Sequence, residues 1–320
     1  MTTETTIERS QTQSLAKPQA DERDVVRPLA ASRKSEPGAS STSRLHKIVA
    51  YTILVVGSLA FLLPFYFVVN GSLKSDAEVQ AGDFVSLPKA LSDVRWSNYD
   101  KALSPQKMNF WPALANTVVI TTLCVVGQVI SCSLVGFGFA RFRFRGRTIL
   151  FMVMLSTMML PAQVTMIPVF VLFRWLGLID TFWPLIIPAW LASPFFVFMF
   201  RQFFAQIPED LVEAARIDGA SNWRVYWQLM LPLSGPVIAI VAIYTFLGTW
   251  NDFMNPLIYL SSPENRTLAL ALNRFKGQYG ITDANLLMAA SVVCMLPCVI
   301  LFFAAQKYFV ESVAMTGLKS

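Results

Sequence analysis

Charge is scarce in this chain of 320 residues. Asp, Glu, Lys and Arg together make up 14% of it, against about 25% in an ordinary soluble domain. With 54% hydrophobic residues and a mean hydropathy of +0.50, that scarcity excludes a soluble globular body of this length. Histidine is rarer still. The single one, His46, stands beside a lysine at the head of an apolar run with no ligand cluster around it. It reads as a membrane-flank residue rather than a metal ligand or a base. The four cysteines, Cys124, Cys132, Cys294 and Cys298, all lie inside apolar runs, where they serve as packing residues rather than disulfide partners or thiolate ligands. No G-x-x-x-x-G-K-[ST] loop occurs, so nothing here cradles a nucleotide phosphate in the usual way. No nucleophile–base constellation stands out either. The polypeptide reads as a non-enzyme with no cofactor of its own.

What the chain does have is long apolar runs. Six of them, at about 48–69, 110–135, 149–173, 182–203, 233–257 and 286–309, each hold about twenty or more residues. At 1.5 Å rise that is enough to cross a hydrocarbon core of about 30 Å. The expected fold is therefore an all-α integral membrane protein with six transmembrane helices over 44–320 and no separate soluble domain. Pro161, Pro168, Pro188 and Pro194 fall within the third and fourth runs and are expected to kink spans inside a bundle, not to end them. Residues 1–43 are rich in Ser, Thr, Gln, Arg and Glu with no hydrophobic period. They cannot bury enough surface to offset ordering entropy, and disorder is expected.

The net charge of +6 has a topological explanation. With the N-terminus in the cytosol, the inner segments hold 17 of the 26 basic residues and the outer segments nine. The connection "ARFRFRGR" concentrates Arg141, Arg143, Arg145 and Arg147 at a span end without an acid nearby. By the positive-inside rule both termini face the cytosol. The basic residues then meet anionic lipid, and no nucleic-acid partner is implied.

That topology makes 204–232 cytosolic. "IPEDLVEAARIDGA" predicts a short helix opened by Pro208, with Glu209 and Asp210 in the first turn, where the dipole favours anions. Gly219 is placed to end it in a left-handed cap, and Ser221 to cap a second helix. The second helix carries Trp223, Tyr226, Trp227 and Met230 at i, i+3, i+4 and i+7, an apolar stripe. Neither helix reaches the roughly 12–15 residues an isolated helix needs in water, so each must dock. Interfacial helices are usually rich in Lys and Arg. Here Arg201, Arg216 and Arg224 face Glu209, Asp210, Glu213 and Asp218, a slightly acidic balance that suits a protein surface better than an anionic leaflet.

Polar residues inside spans are the candidates for a transport pathway. Asp252 is the one acid near a span interior, flanked by Trp250 and Asn251. Counting from Pro232 places the cluster roughly 27 Å along the helix, toward the outer side. It reads either as an interfacial anchor or as a wall of a sugar-binding cavity, with the aromatic face on a sugar ring and amide and carboxylate on hydroxyls. Asn116, and Gln163 with Thr165, are weaker candidates, for which helix-to-helix hydrogen bonding is the plainer role.

"EAARIDGA", followed by an aromatic stretch and "LP", resembles the EAA motif of ATP-binding-cassette importer permeases. The match extends through "IPEDLVEAARIDGASNWRVYWQLMLPLSGP", "TFLGTWNDFMNPLIYL", "LANTVVI" and "AMTGLKS" and resembles the maltose-transporter-type second permease of the sugar branch, over about 45–320. The resemblance implies that 204–232 is the coupling loop, seated in a cleft of a separate ATPase subunit. Glu213 would pair with a basic group there, Gly219 would be the turn glycine, and Ala214, Ala215, Asp218 and Ala220 would shape the contact. It also implies a second homologous permease, two copies of the ATPase carrying ATP and Mg, and an external solute-binding protein in a bacterial plasma membrane. The solute is a di- or oligosaccharide, with a glycerol-phosphate-type solute as the alternative. Ser320 stands where the family commonly ends in Gly. An ion-coupled secondary transporter needs intramembrane ionisable groups, and Asp252 alone qualifies.

Overall fold

A computed structural model of the chain describes residues 44–87, 93–275 and 283–317, with side chains described from 46 and up to 306. The expected disorder of 1–43, and Ser320, lie outside the described residues. All regular structure among the described residues is helical. They fall into two units divided after Ala60. The first holds the leading part of α1 (Arg44–Ser72), whose side chains from 46 to 60 are exposed apart from the half-buried Gly57. For an apolar helix this is a surface made for lipid or another protein.

In the second unit α1 ends at a polar knot. After it come α2 (Asp76–Gln80) and α3 (Ser97–Leu103). Asn98 donates to the backbone oxygens of Ser72 and Lys74 at 2.9 and 2.8 Å, and the buried Lys74 ammonium reaches Asp83 and Ser86. The bond from Asn98 to Ser72 satisfies the last carbonyl of α1, which would otherwise be left bare.

The axis of the unit is α4 (Phe110–Arg141), 32 residues long. One end packs against α12 (Gly235–Trp250), α14 (Leu268–Leu272) and the start of α15 (Ala284–Gly317), around Phe110, Ala113, Trp250, Leu268 and Ala289. The other end packs against α8 (Pro194–Gln206) and the 209–231 segment, around Cys132, Phe137, Phe200, Phe204 and Tyr226. Close approach of α4 and α8 requires glycine at 136. A Cβ there would lie 2.6 Å from Phe200 Cβ and 3.2 Å from the Arg201 nitrogen.

Among the described residues, four helices are long and apolar enough to cross a bilayer: 46–72, 110–141, 183–206 and 284–306. Two further candidates are bent pairs, so the count is four, or six when each pair is one span. The predicted third run splits into α5 (Arg147–Ser156) with a short 3-10 turn, then α6 (Ala162–Trp175), at an angle of 98°. Pro161 does more than kink this run. It drives Leu160 into an extended conformation, φ −80° and ψ 118°, and ends the helix. Pro168 and Pro188, by contrast, sit within α6 and within α7 (Trp183–Trp190), and Pro194 opens α8.

The predicted fifth run differs at both ends. The helical stretch 222–233 meets α12 at 77° beside Ser234, whose Oγ donates to the Met230 oxygen at 2.6 Å. At the far end α12 stops at Trp250, not near 257, and α13 (Met254–Tyr259) begins after a turn. Asp252, one residue ahead of the Phe253 N-cap, steadies the restart, its carboxylate accepting the Asn255 N–H in the first turn of α13.

Candidate functional site

The polar passage between the fourth and fifth apolar runs forms two short helical pieces. Helix α9 (Glu209–Ile217) has Pro208 as its N-cap, Glu209 and Asp210 in the first turn and Arg216 in the last, all matched to the helix dipole. It ends in a Schellman turn. The Gly219 N–H donates to the Arg216 oxygen at 3.0 Å and the Ala220 N–H to the Ala215 oxygen at 2.9 Å. Gly219 has φ +79°, the left-handed conformation its place after Ile217 and Asp218 predicts. Ala215 and Ala220, the pair that such a turn brings together, are half-buried against one core. Ser221 then accepts the Arg224 N–H at 3.3 Å and opens α10 (Asn222–Val225).

From Tyr226 to Met230 the helix widens into a π-type turn before α11 (Leu231–Leu233). The expected aromatic stripe stays together: the ring centroids of Trp223 and Tyr226 lie 5.7 Å apart, those of Trp223 and Trp227 5.9 Å, and those of Tyr226 and Trp227 5.2 Å. Tyr226 and Met230 are fully buried, while Trp223 and Trp227 are 60% and 41% exposed. The stripe thus runs from the core, at Tyr226 and Met230, to the surface, at Trp223 and Trp227. The Tyr226 hydroxyl pairs with that of Ser133 at 2.7 Å and fastens the segment to α4. Val212 is the anchor of α9, 2% exposed. Glu213, Ala214, Asp218 and Gly219 are exposed, Ala215 and Ala220 less so. The exposed side also carries Ile217, at 86% exposure.

Arg141 is a residue whose local role composition did not reveal. It was legible only as one of four topological arginines. Its Nη2 donates to the oxygens of Phe204 and Ile207 at 2.7 and 2.6 Å. It thereby closes the C-terminal carbonyls of α8 and fixes the point where the polar passage leaves the bundle.

The intramembrane candidates divide. Gln163 and Thr165 on α6 face Asp252 across a cleft of about 460 Å³ that Pro188, Met254, Asn255 and Tyr259 also line. Asp252 adjoins a second cavity of about 50 Å³ with Thr117, Thr121, Thr249 and Thr267 in its wall. Both its oxygens are engaged by Asn255, Oδ1 by the N–H at 3.2 Å and Oδ2 by the side-chain amide at 2.8 Å.

Trp250 belongs to neither the cleft nor an interfacial belt, which corrects both readings made from the sequence. It is 5% exposed, its ring stacks on Phe246 with centroids 5.1 Å apart, and its N–H donates to the Cys294 oxygen at 3.1 Å. A full-length indole packs this well only because α15 offers a carbonyl for the N–H. Asn251 is exposed and folds back on its own helix, donating to the Leu247 oxygen at 2.9 Å. Asn116 bonds a loop rather than a helix, donating to the oxygens of Glu264 and Arg266 at 2.7 and 3.0 Å.

Near that loop sits a second unforeseen feature. Asp180, with φ +62°, accepts the N–H groups of Ser261 and Ser262 at 2.8 and 3.0 Å and the Ser262 hydroxyl. These bonds, the Ser262 side chain first, hold its carboxyl well below the usual carboxylate range. They join the turn after α6 to the loop after α13. Among the described residues no three His, Cys, Asp or Glu side chains gather as a metal site.

Apolar helices packed around α4 and two sharply bent apolar pairs give the described residues the build of a multi-pass membrane protein. Residues 133–315 match the family described as binding-protein-dependent transport system inner membrane component, and the chain belongs to that family. It is 33% identical over 278 residues to the arabinooligosaccharides transport system permease protein of Bacillus subtilis, covering 86% of this chain and 96% of that one. It is 30% identical to the diacetylchitobiose uptake system permease protein of Streptomyces coelicolor, covering 86% and 90%. Its fold is similar to a chain of a bacterial ABC transporter involved in the import of the acidic polysaccharide alginate, with TM-score 0.74, 27% identity and coverage of 86% and 100%.

Proposed function

We propose that this chain is one transmembrane half of an ATP-driven carbohydrate importer, and that 204–232 transmits the work of a separate ATPase. The observation that carries the coupling role is the build of α9. One side is anchored in the chain's own core through Val212, while Glu213, Ala214, Ile217 and Asp218 are presented outward without a partner surface of their own. A helix of nine residues held this way acts as a rigid peg. Its exposed acids oppose an anionic leaflet and suit a basic protein cleft. The distribution of Lys and Arg supports a cytosolic position for this segment and both termini. In keeping with the family, a second permease, two ATPase copies with ATP and Mg, and an external binding protein complete the assembly. The oligosaccharide solutes of the named relatives favour a di- or oligosaccharide here, and the chain itself performs no chemistry on it.

The test is Glu213→Lys in the reconstituted assembly. Hydrolysis of ATP continues, uptake falls at least ten-fold, and membrane insertion is normal. Unaltered uptake would sink the coupling role.

A further inference from the structure

The cleft bounded by α6, α7 and α13 has a one-signed wall. Asp252 is the charged residue among those lining it, and it is also the charged residue lining the adjoining cavity. Among the described residues its carboxylate has no ion-pair partner; the bridges formed are Lys74–Asp83 and Lys107–Asp283. Asn255 orients the carboxylate but leaves its charge in place. Asp252 directly follows the C-terminal turn of α12, the negative end of that helix's dipole, which adds to the negative potential. The rest of the wall is neutral: the amides of Gln163 and Asn255, the hydroxyl of Thr165, and the apolar faces of Met166, Met254 and Pro188. Thr121, 2% exposed, contributes a buried hydroxyl with no partner to the wall of the adjoining cavity. That cavity has room for a water or a hydroxyl group.

We propose that this cleft is a charge filter, admitting uncharged polyhydroxylated solutes and rejecting anionic ones, with Asp252 as the discriminating residue. The proposal rests on the reading of the chain as a carbohydrate permease half with this cleft on the pathway. Amides, hydroxyls and one carboxylate satisfy sugar hydroxyls, and the methionine and proline faces take C–H surfaces. A carboxylate or phosphate on the solute, about 4 Å from Asp252, meets a repulsion that lowers its occupancy roughly five-fold in a water-like cleft, and several-hundred-fold where water is excluded. The family resemblance leaves sugar and glycerol-phosphate solutes both open; the wall of this cleft excludes the second.

The experiment introduces Thr165→Cys into the full assembly with Cys298 replaced by Ala, the other three cysteines being buried. Alkylation rates are measured with a cationic and an anionic methanethiosulfonate and normalised to a free thiol in solution. The cationic reagent is expected to be favoured at least five-fold. Asp252→Asn, which keeps an oxygen for the Asn255 N–H, brings the ratio to that of the free thiol, and Asp252→Glu preserves it. Gln163→Lys, on the exposed opposite wall, shifts the ratio toward the anionic reagent even if the Asp252 variants do not assemble. A free-thiol ratio with Asp252 intact, or a ratio that Asp252→Asn and Gln163→Lys both leave unchanged, overturns the filter. Uptake of lactose and of lactobionate by the same assembly separates the two claims. A charge preference without ATP-driven uptake of any neutral sugar retires the carbohydrate reading alone. Equal uptake of both with no charge preference retires the filter alone.

Discussion

Gly219 allows the coupling role to be tested with the packing held constant. Its φ is +79° and a Cβ added to it would meet nothing within 4 Å. Substitution there costs backbone strain and no steric clash. For Ala the left-handed conformation costs about 1–2 kcal/mol; for Asn, whose side chain bonds locally, it costs less. Val is worse than Ala, because a branched Cβ narrows the allowed region further. If α9 works as a rigid peg, its Schellman turn is the joint that keeps it stiff against α10, and stiffness is lost in the order Gly, Asn, Ala, Val. A strain of ~1.4 kcal/mol raises the ratio of open to closed turn ten-fold. The assay is the number of ATP hydrolysed per solute transported, measured in proteoliposomes at equal surface expression. That number is expected to rise along the series, least for Asn and most for Val, while basal hydrolysis holds. Identical coupling in the native protein and all three variants would refute the argument, since the turn would then carry no mechanical load.

Arg141→Met removes two charge-assisted bonds to the end of α8 and should cost about 2 kcal/mol, read as a lower melting temperature in detergent; Arg141→Lys should recover only part, because ammonium lacks the planar fork. Trp250→Phe removes the N–H held by Cys294 but keeps the stack on Phe246, and should cost about 1 kcal/mol without altering the neutral-over-anionic preference of the cleft. The clamp of Asp180 on Ser261 and Ser262 should be indifferent to mild acid. Its carboxyl is depressed in the folded state, so its contribution is complete above the unfolded value of about 4 and is lost only as pH falls toward the depressed one. Proteolysis of the 260–266 loop should therefore be the same at pH 8 and pH 5 and rise with Asp180→Ala at both.

The parts of this protein that were legible in the sequence are those governed by local rules. Apolar runs of twenty residues marked the membrane helices, and the Gly219 turn and the Ser221 cap followed from residue type and position. The breaks were less legible. Pro161 ends a helix while Pro168, seven residues on, sits inside one, and composition alone does not separate the two cases. Nor did helical spacing foresee the π-type turn at 226–230, or that Trp223 and Trp227 would form the exposed edge of a stripe whose Tyr226 is in the core. Trp250 was read either as an interfacial anchor or as a wall of a sugar cavity, because it stands beside the polar Asn251 and Asp252. The carbonyl that accepts its N–H belongs to Cys294, 44 residues away, where no local pattern reaches. Arg141 is the same kind of case, since its partners lie on α8 and only the folded bundle brings them to it.

The central claim is that α9 meets an ATPase in the cytosol. The direct measurement is site-directed cross-linking from Glu213→Cys in the Cys298→Ala background. In inside-out vesicles the cysteine is expected to react with an impermeant maleimide, to form a cross-link of about 6–8 Å span to an ATPase subunit, and to lose that cross-link when the ATPase is stripped. Reaction only in right-side-out vesicles, or a cysteine that is open to maleimide yet unchanged by removing the ATPase, would contradict the account.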